Sequence, residues 1–312
     1  MKSPVTFVIG CTGSGKGGFG RELARRTGGE IVSIDSMKVY RRMDIGTAKP
    51  PPEVRREIPH YLIDVVEPSE EFSVAEYVKC AEEAIADIEQ RGKPVFVVGG
   101  TPLYIKALSE GLFEGPGADP VIRARLHETA EAQGLDVLYS QLQRVDPTTA
   151  GRVHPNDLRR IVRALEVFEL TDTPISELQM QWDRDRTRYD CVFIGLRRRR
   201  EDQNHRINER VRRMIEAGLV DEVKSLLAEP KPLSATARKA LGYAEIIQHL
   251  SGDASLADVI EMIKINTRQF GKAQRTWFKR FRDTDWIDLS PDATAAEAAT
   301  ELLEHRGSLW SV

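Results

Sequence analysis

The sequence predicts an α/β fold in which a parallel sheet core is interrupted by an all-helical insertion and followed by a helical C-terminal part. Three observations carry this. From residue 5 to residue 98, short β-branched apolar runs alternate with helix-length stretches, the pattern of strands joined by helical crossovers. Between about 116 and 187 no buried strand is legible. A β-branched run then returns at Tyr189 to Ile194, and helical stretches follow Gly195.

The totals narrow the class. A chain of 312 residues is long enough for about two domains, each with its own core. The formal net charge of -3 does not by itself point to a nucleic-acid partner. Cys11, Cys80 and Cys191 form no C-x-x-C pair, which argues against a disulfide framework and a zinc finger. No apolar stretch approaches a membrane span, and Met1-Lys2-Ser3-Pro4 leads into a run too short for a signal peptide. A cytoplasmic protein is expected.

Val5 to Ile9 reads as the first buried strand. Gly10-Cys11-Thr12-Gly13-Ser14-Gly15-Lys16 follows, with the spacing G-x-x-x-x-G-K, and Phe19 to Arg26 reads as a helix. In that context the glycines let several backbone N–H groups converge on one anion. The helix start adds positive potential, and Lys16 adds a mobile charge for a terminal phosphate. The serine or threonine that usually follows the lysine, and whose hydroxyl meets magnesium, is replaced by Gly17. With Gly18 and Gly20 it makes three glycines in the first turns, each costing about 1 kcal/mol relative to alanine in a helix.

Glu30 to Ile34 reads as a second strand that delivers Asp35 to the carboxyl edge of the sheet, where open α/β sheets bind ligands. Met43 to Pro50 reads as a long loop and His60 to Asp64 as a short strand. Ser73 and Glu76 form a capping box for a helix reaching about Gln90. Pro94 to Val98 is a further strand, closed by Gly99-Gly100-Thr101. Thr101 lies near the phosphate loop if the two strands are neighbours, and it also suits the N-cap before Pro102.

In the insertion, helices are expected from Asp119-Pro120, over Asp136 to Val145, over Asn156 to Leu170, and from Thr173-Pro174. After the last strand they are expected over Glu201 to Ala217, Leu219 to Ala228, Ala235 to Leu250 and Ser255 to Phe281. Basic residues gather in three places: Arg159, Arg160 and Arg163; Arg197 to Arg200 with Arg206, Arg210, Arg212 and Arg213; and Lys264, Arg268, Lys272, Arg275 and Lys279. Aromatic Phe270, Trp277, Phe278 and Phe281 interleave with the last. Three such runs around a phosphate loop favour a nucleic-acid partner over mere solvated helix faces.

Several segments together resemble the tRNA dimethylallyltransferase family of the bacterial type. They are the glycine loop, Ile34 to Tyr40, Met43 to Pro50, Val98 to Thr101 with Leu103-Tyr104, His154 to Asp157, Arg238 to Tyr243, Thr267 to Phe270 and Gln274 to Trp277. The resemblance covers residues 5–282. It implies a P-loop NTPase-like core over 1–115 and 188–312, with the C-terminal helices, and a helical module over 116–187 that binds the tRNA anticodon stem-loop.

The implied reaction is transfer of a dimethylallyl group from dimethylallyl diphosphate to N6 of adenosine 37, with magnesium as cofactor and the enzyme acting as a monomer. The diphosphate would lie on Gly10, Cys11, Thr12, Gly13, Ser14, Gly15, Lys16 and Gly17. Lys16 and Arg206 would hold the leaving group, Asp35 would orient the amine and accept its proton, and Thr101 would assist. Asp35, Ser36, Met37, Lys38, Thr101, Arg123, Arg159, Arg160, Arg163, Arg238, Lys239 and Tyr243 would contact tRNA. Gly17 leaves the magnesium ligand unassigned. An ATP-dependent small-molecule kinase, or a tRNA-binding relative without catalysis, stands as the alternative.

Overall fold

The computed structural model describes residues 4–112, 115–179 and 187–310. Met1-Lys2-Ser3, on which the reading of the chain's start rests, lies outside them. The chain divides into two compact units, Met1–Ser109 with Tyr189–Val312, and Glu110–Arg188.

The first unit is built on six parallel strands: β1 (Val5–Gly10), β2 (Glu30–Ile34), β3 (His60–Tyr61), β4 (Val95–Gly99), β5 (Cys191–Arg197) and β6 (Thr284–Asp288), in the order β3-β2-β4-β1-β5-β6. β1, β2 and β4 are buried at every position, Thr6, Glu30 and Ser33 included, as in a sheet covered on both faces. Register sets the site. Ile34, Gly99, Ile9 and Gly195 lie side by side, so β2, β4, β1 and β5 all release the chain near one level of the carboxyl edge.

Three strand expectations need correction. β3 stops at Tyr61 because Leu62 and Asp64 turn left-handed, with φ of 61° and 58°, and the Asp64 carboxylate is gathered in by Lys49 and Arg55 at 2.6 and 2.5 Å. Strand structure does not end at Ile194. β5 continues to Arg197, and β6 joins it at the edge. β6 lacks a continuous apolar run: as an edge strand it is only partly buried, with Ile287 packed on the core and Trp286 filling the space that Gly195 leaves open.

The helices of this unit are α1 (Lys16–Thr27), α2 (Pro52–Glu57), α3 (Val74–Gln90) and α4 (Pro102–Glu110) before the insertion. The Ser73–Glu76 capping box of α3 forms reciprocally. In the insertion, α5 (Pro120–Gln133), α6 (Leu135–Val145), α7 (Pro147–Ala150), α8 (Leu158–Thr171) and α9 (Ile175–Leu178) enclose a core of Leu126, Leu138, Leu142, Ile161 and Leu165. Buried Asp146 caps α7 through Thr149 and also receives the Ser176 amide, tying α9 to it.

After β5 come α10 (Arg200–Glu216), α11 (Leu219–Leu227), α12 (Ala235–Arg238), α13 (Tyr243–Leu250), α14 (Leu256–Phe278) and α15 (Ala295–Arg306). The single helix expected over 235–250 is two, because Gly242 turns left-handed at φ 89° and becomes the N-cap of α13. α14 ends at Phe278, and Phe281 folds back against Phe193, with ring centroids 5.7 Å apart.

The glycines early in α1 have packing reasons. A β-carbon on Gly20 would lie 2.6 Å from the nearer methyl of Val98, so the helix meets β4 through bare backbone. On Gly18 it would press on Ala295 of α15 at 3.1 Å. Gly20→Ala is therefore expected to destabilise the protein by about 1–3 kcal/mol through overpacking, although alanine is the better helix former. Urea unfolding measures it, and a more stable variant would contradict the packing argument.

Candidate active site

The loop after β1 is shaped by Gly13 and Gly15, both left-handed at φ 80° and 99°. Its carbonyls are turned outward and taken up one after another. Cys11 O accepts from Lys16 Nζ at 3.3 Å, and Thr12 O from Gln203 Nε2 at 2.8 Å. Gly13 O accepts from Arg206 Nε at 3.0 Å, and Ser14 O from Arg198 Nε at 3.2 Å. With the carbonyls held this way, loop amides are left to face an anion at the start of α1. Three amides of the loop are already engaged: Ser14 N donates to Cys11 O at 3.1 Å, Lys16 N donates to Ser14 Oγ at 3.4 Å, and the Thr12 amide turns inward. The Thr12 amide donates to Gln274 Oε1 at 2.8 Å, while Gln274 Nε2 donates to Gly100 O at 2.5 Å.

Thus one buried side chain of α14, only 4% exposed, bridges the loop after β1 and the turn after β4. Gln203 of α10 is steadied in turn by Arg275. Gly271 leaves room for both Gln203 and Thr12.

Asp35 and Thr101 arrive on neighbouring strand ends. Asp35 Oδ1 accepts the Met37 and Lys38 amides at 2.9 and 3.4 Å, so the turn-cap role is real, and Oδ2 has no hydrogen bond among the described residues. Thr101 Oγ1 accepts the Ser36 amide at 3.1 Å, which leaves its proton to donate elsewhere.

Around Asp35 stand Lys16, Lys38 and Arg210, each with its charge interacting with this carboxylate. Burial, and then the proximity of Lys38, pull the Lys16 ammonium down to about 8. Burial lowers Lys38 and Arg210 as well. Three crowded cations with one carboxylate between them form a site short of negative charge. A cavity of about 390 Å³ opens beside the loop, walled by Gly15, Gly18, Arg21, Arg198 and Arg206 and closed by the 289–295 segment.

The structure therefore brings together Lys16, the loop, Arg206, Asp35, Thr101, Ser36, Met37 and Lys38. Gln203 carries no signal in the sequence, and Arg198, Arg210 and Gln274, legible there only as members of a basic run or of a family-like segment, join the loop itself. The available signal was a glycine and a glutamine, Gly271 and Gln274, on the buried stripe of α14 that ends at Phe278.

Tyr243 is a correction. It is fully buried, packs on Gly46 and donates to Glu222 Oε1 at 2.6 Å, so it is a core residue and not a surface contact. On α14 the basic stripe stays largely at the surface: Lys272, Arg275 and Lys279 are exposed, Lys264 and Arg268 are half-buried with Arg268 bonding Asn208, and of the interleaved aromatics Phe278 is core. Arg238 and Lys239 are exposed at the end of α12.

In the insertion Arg159 and Arg160 are exposed on α8. Arg123 and Arg163 instead grip the buried Glu166 at 2.8 and 2.6 Å. Burial works to raise the Glu166 carboxyl, but the hydrogen bonds from these two arginines outweigh it and hold it below the usual range.

A parallel sheet with a glycine-rich anion loop after its central strand, and cations gathered at the carboxyl edge, defines a phosphate-binding α/β protein of the P-loop kind. Residues 38–281 match the family model for IPP transferase. The tRNA dimethylallyltransferase of Geobacter metallireducens is 48% identical over 92% of this chain and 93% of its own. That of Caldanaerobacter subterraneus is 43% identical over 98% of both.

Among solved structures, the tRNA isopentenylpyrophosphate transferase of Bacillus halodurans superposes with a TM-score of 0.73 at 36% identity, covering 99% of this chain and 97% of that one. A eukaryotic dimethylallyltransferase described as acting on tRNA gives 0.77 at 29% identity, covering 97% of this chain and 76% of that one. The chain belongs to the IPP transferase family and is a transferase of the tRNA dimethylallyltransferase type. Membership sets aside the small-molecule kinase alternative.

The Lys16 shift gives a pH test. An ammonium near 8 in the folded state and about 10.4 when unfolded means that the unfolded chain holds more protons between those values. Its contribution to stability rises with pH across that window. Anion binding runs the other way, since it needs the charged form. Calorimetric affinity for inorganic diphosphate is expected to fall as pH rises through about 8, and Lys16→Gln should lose that step. A wild-type affinity that is flat from about pH 7 to 9 would remove Lys16 from the contact.

Proposed function

We propose that this chain transfers a dimethylallyl group from dimethylallyl diphosphate to N6 of adenosine 37 in the tRNA anticodon stem-loop, leaving N6-dimethylallyladenosine and diphosphate. The observation that carries this reading is the placement of Asp35, with one oxygen unengaged, beside Thr101 and within the charge field of Lys16. Proton acceptor and anion loop therefore share one sheet edge. The N6 amine attacks C1 of the donor, the C1–O bond breaks, and its electron pair leaves with the diphosphate.

Charge developing on that oxygen is met by Lys16, Arg206, Arg210 and the loop amides, already oriented before reaction. The proton lost from N6 passes to Asp35. Thr101 donates toward the reacting centre. The adenine must leave its stack to arrive there.

Magnesium, implied by the resemblance, does not find the usual hydroxyl after Lys16. Position 17 is glycine, and no group of three His, Cys, Asp or Glu side chains among the described residues could hold an ion. Any magnesium at the site is carried by the donor's own oxygens and water, which suits an ion reluctant to dehydrate.

Ser36, Met37, Lys38, Arg238, Lys239 and the insertion's Arg159 and Arg160 are the tRNA contacts in this reading, with Arg123 and Arg163 shaping the surface through Glu166. The enzyme works as a monomer in the cytoplasm, where tRNA is found. No helix among the described residues is long and apolar enough to cross a membrane.

Asp35→Ala is expected to slow the single-turnover chemical step by about 10²–10⁴-fold with little change in binding of either substrate. Asp35→Asn keeps an acceptor for the amine but cannot take the proton, so it separates orientation from proton removal. A wild-type chemical rate in the alanine variant would leave Asp35 as a turn cap only. Affinity for an anticodon stem-loop should fall steeply with salt, and Arg160→Ala should reduce the salt slope by about one contact while leaving diphosphate affinity unchanged. A donor-binding defect with normal tRNA affinity would contradict this placement.

A further inference from the structure

Gly17 removes the hydroxyl that a phosphate loop ordinarily offers to a metal ion, and the structure shows what stands there instead. Arg21 lies one turn later on α1, where a side chain leans back over the residue four positions before it. Its Nη1 is 3.5 Å from the place where a β-carbon of residue 17 would be. The same guanidinium lines the cavity beside the loop, together with Gly15, Gly18, Arg198 and Arg206, and with Asp292 as the one acidic residue of its lining, which makes no hydrogen bond or ion pair with Arg21.

Its other charged neighbours do not neutralise it. On its own helix, Arg25 is like-charged, and Glu22 is taken up by Arg25 and Arg26. Across from it stand Lys38 and the imidazole of His60, which burial pulls down to about 4 and so leaves uncharged near neutral pH. Among the described residues Arg21 has neither a hydrogen bond nor an ion pair. A half-buried guanidinium without an acceptor, crowded by other cations at the first turn of a phosphate-binding helix, is a group arranged for an anion that arrives from solution.

Resting on the reading of this loop as the donor site, we infer that Arg21 contacts the donor diphosphate from the position-17 side and supplies the positive charge that a hydroxyl-held metal ion would otherwise bring. Glycine at 17 is then the condition for the contact, because larger side chains would stand between the guanidinium and the loop. A guanidinium offers planar, paired donors that match phosphate oxygens.

The test is calorimetric titration of inorganic diphosphate into the wild type, Arg21→Gln, Arg21→Lys, Gly17→Thr and Lys16→Ala, each in excess chelator and in excess magnesium. The wild type should bind in chelator within about threefold of its affinity with magnesium. Arg21→Gln should lose about tenfold or more in chelator, regaining part of it with magnesium, as loss of a charge-assisted contact implies. Arg21→Lys should keep most of the affinity, which a merely disrupted helix would not.

Gly17→Thr, whose added atoms crowd the guanidinium, should make binding depend on magnesium. Wild-type affinity for Arg21→Gln in chelator, or loss of wild-type binding on chelation, would overturn the inference. If Lys16→Ala binds as well as the wild type under both conditions, the donor-site reading fails instead.

Discussion

The peptide of Thr12 is the point on which the site's construction turns. A loop that offers its amides to an anion must direct its carbonyls, and any amide left out, into the protein, where an unpaired polar group costs about 1–3 kcal/mol. Here the Thr12 amide and carbonyl are satisfied by Gln274 and Gln203, from two helices far along the chain. Because Gln274 also holds Gly100, the spacing between the anion loop and the strand end that carries Thr101 is fixed by one side-chain amide. The C-terminal helices are thus part of the site's frame, and the need for small and polar residues at Gly271, Gln203 and Gln274 follows from it.

Electrostatics in the two units follow opposite rules. In the insertion, Glu166 is buried at 0% exposure and answered by Arg123 and Arg163, a closed arrangement that holds helices together. At the sheet edge, Lys16, Lys38 and Arg210 crowd around Asp35, and their charge is left in excess. Such an excess of positive charge costs stability in the free protein and suits an anion that arrives from solution. The same residue type is therefore neutralised by a partner in one unit and left in excess in the other, and helix-face charge counting does not separate the two.

What was legible in the sequence is what short-range chemistry decides. The β1–loop–α1 unit, the capping box of α3, and Asp35 and Thr101 at the strand ends follow from β-branched runs, glycine spacing and cap residues, and they stand where those signals put them. Residues whose role depends on distant partners were not legible. β6 is an edge strand with only partial burial, so it carries no continuous apolar signature. Tyr243 has the look of a surface contact beside Arg238 and Lys239, yet the vacancy at Gly46 draws it inside. Arg123 and Arg163 read as phosphate contacts because nothing local announces that Glu166 will be buried between them.

The order of strands has a consequence for how the protein is made. β1 lies between β4 and β5, and β5 is not synthesised until the whole insertion has been. Gln274, the 290–293 carbonyls that anchor Arg198, and Trp310, whose indole donates to Thr6 at 2.9 Å, come later still. Contacts so distant in sequence close slowly, and the amino-terminal half leaves the ribosome with an open strand edge on β1. The insertion, with its own core, can fold during that interval. The anion loop is assembled last, so a nascent chain stalled before α14 would hold its first strands and its insertion but no working phosphate site.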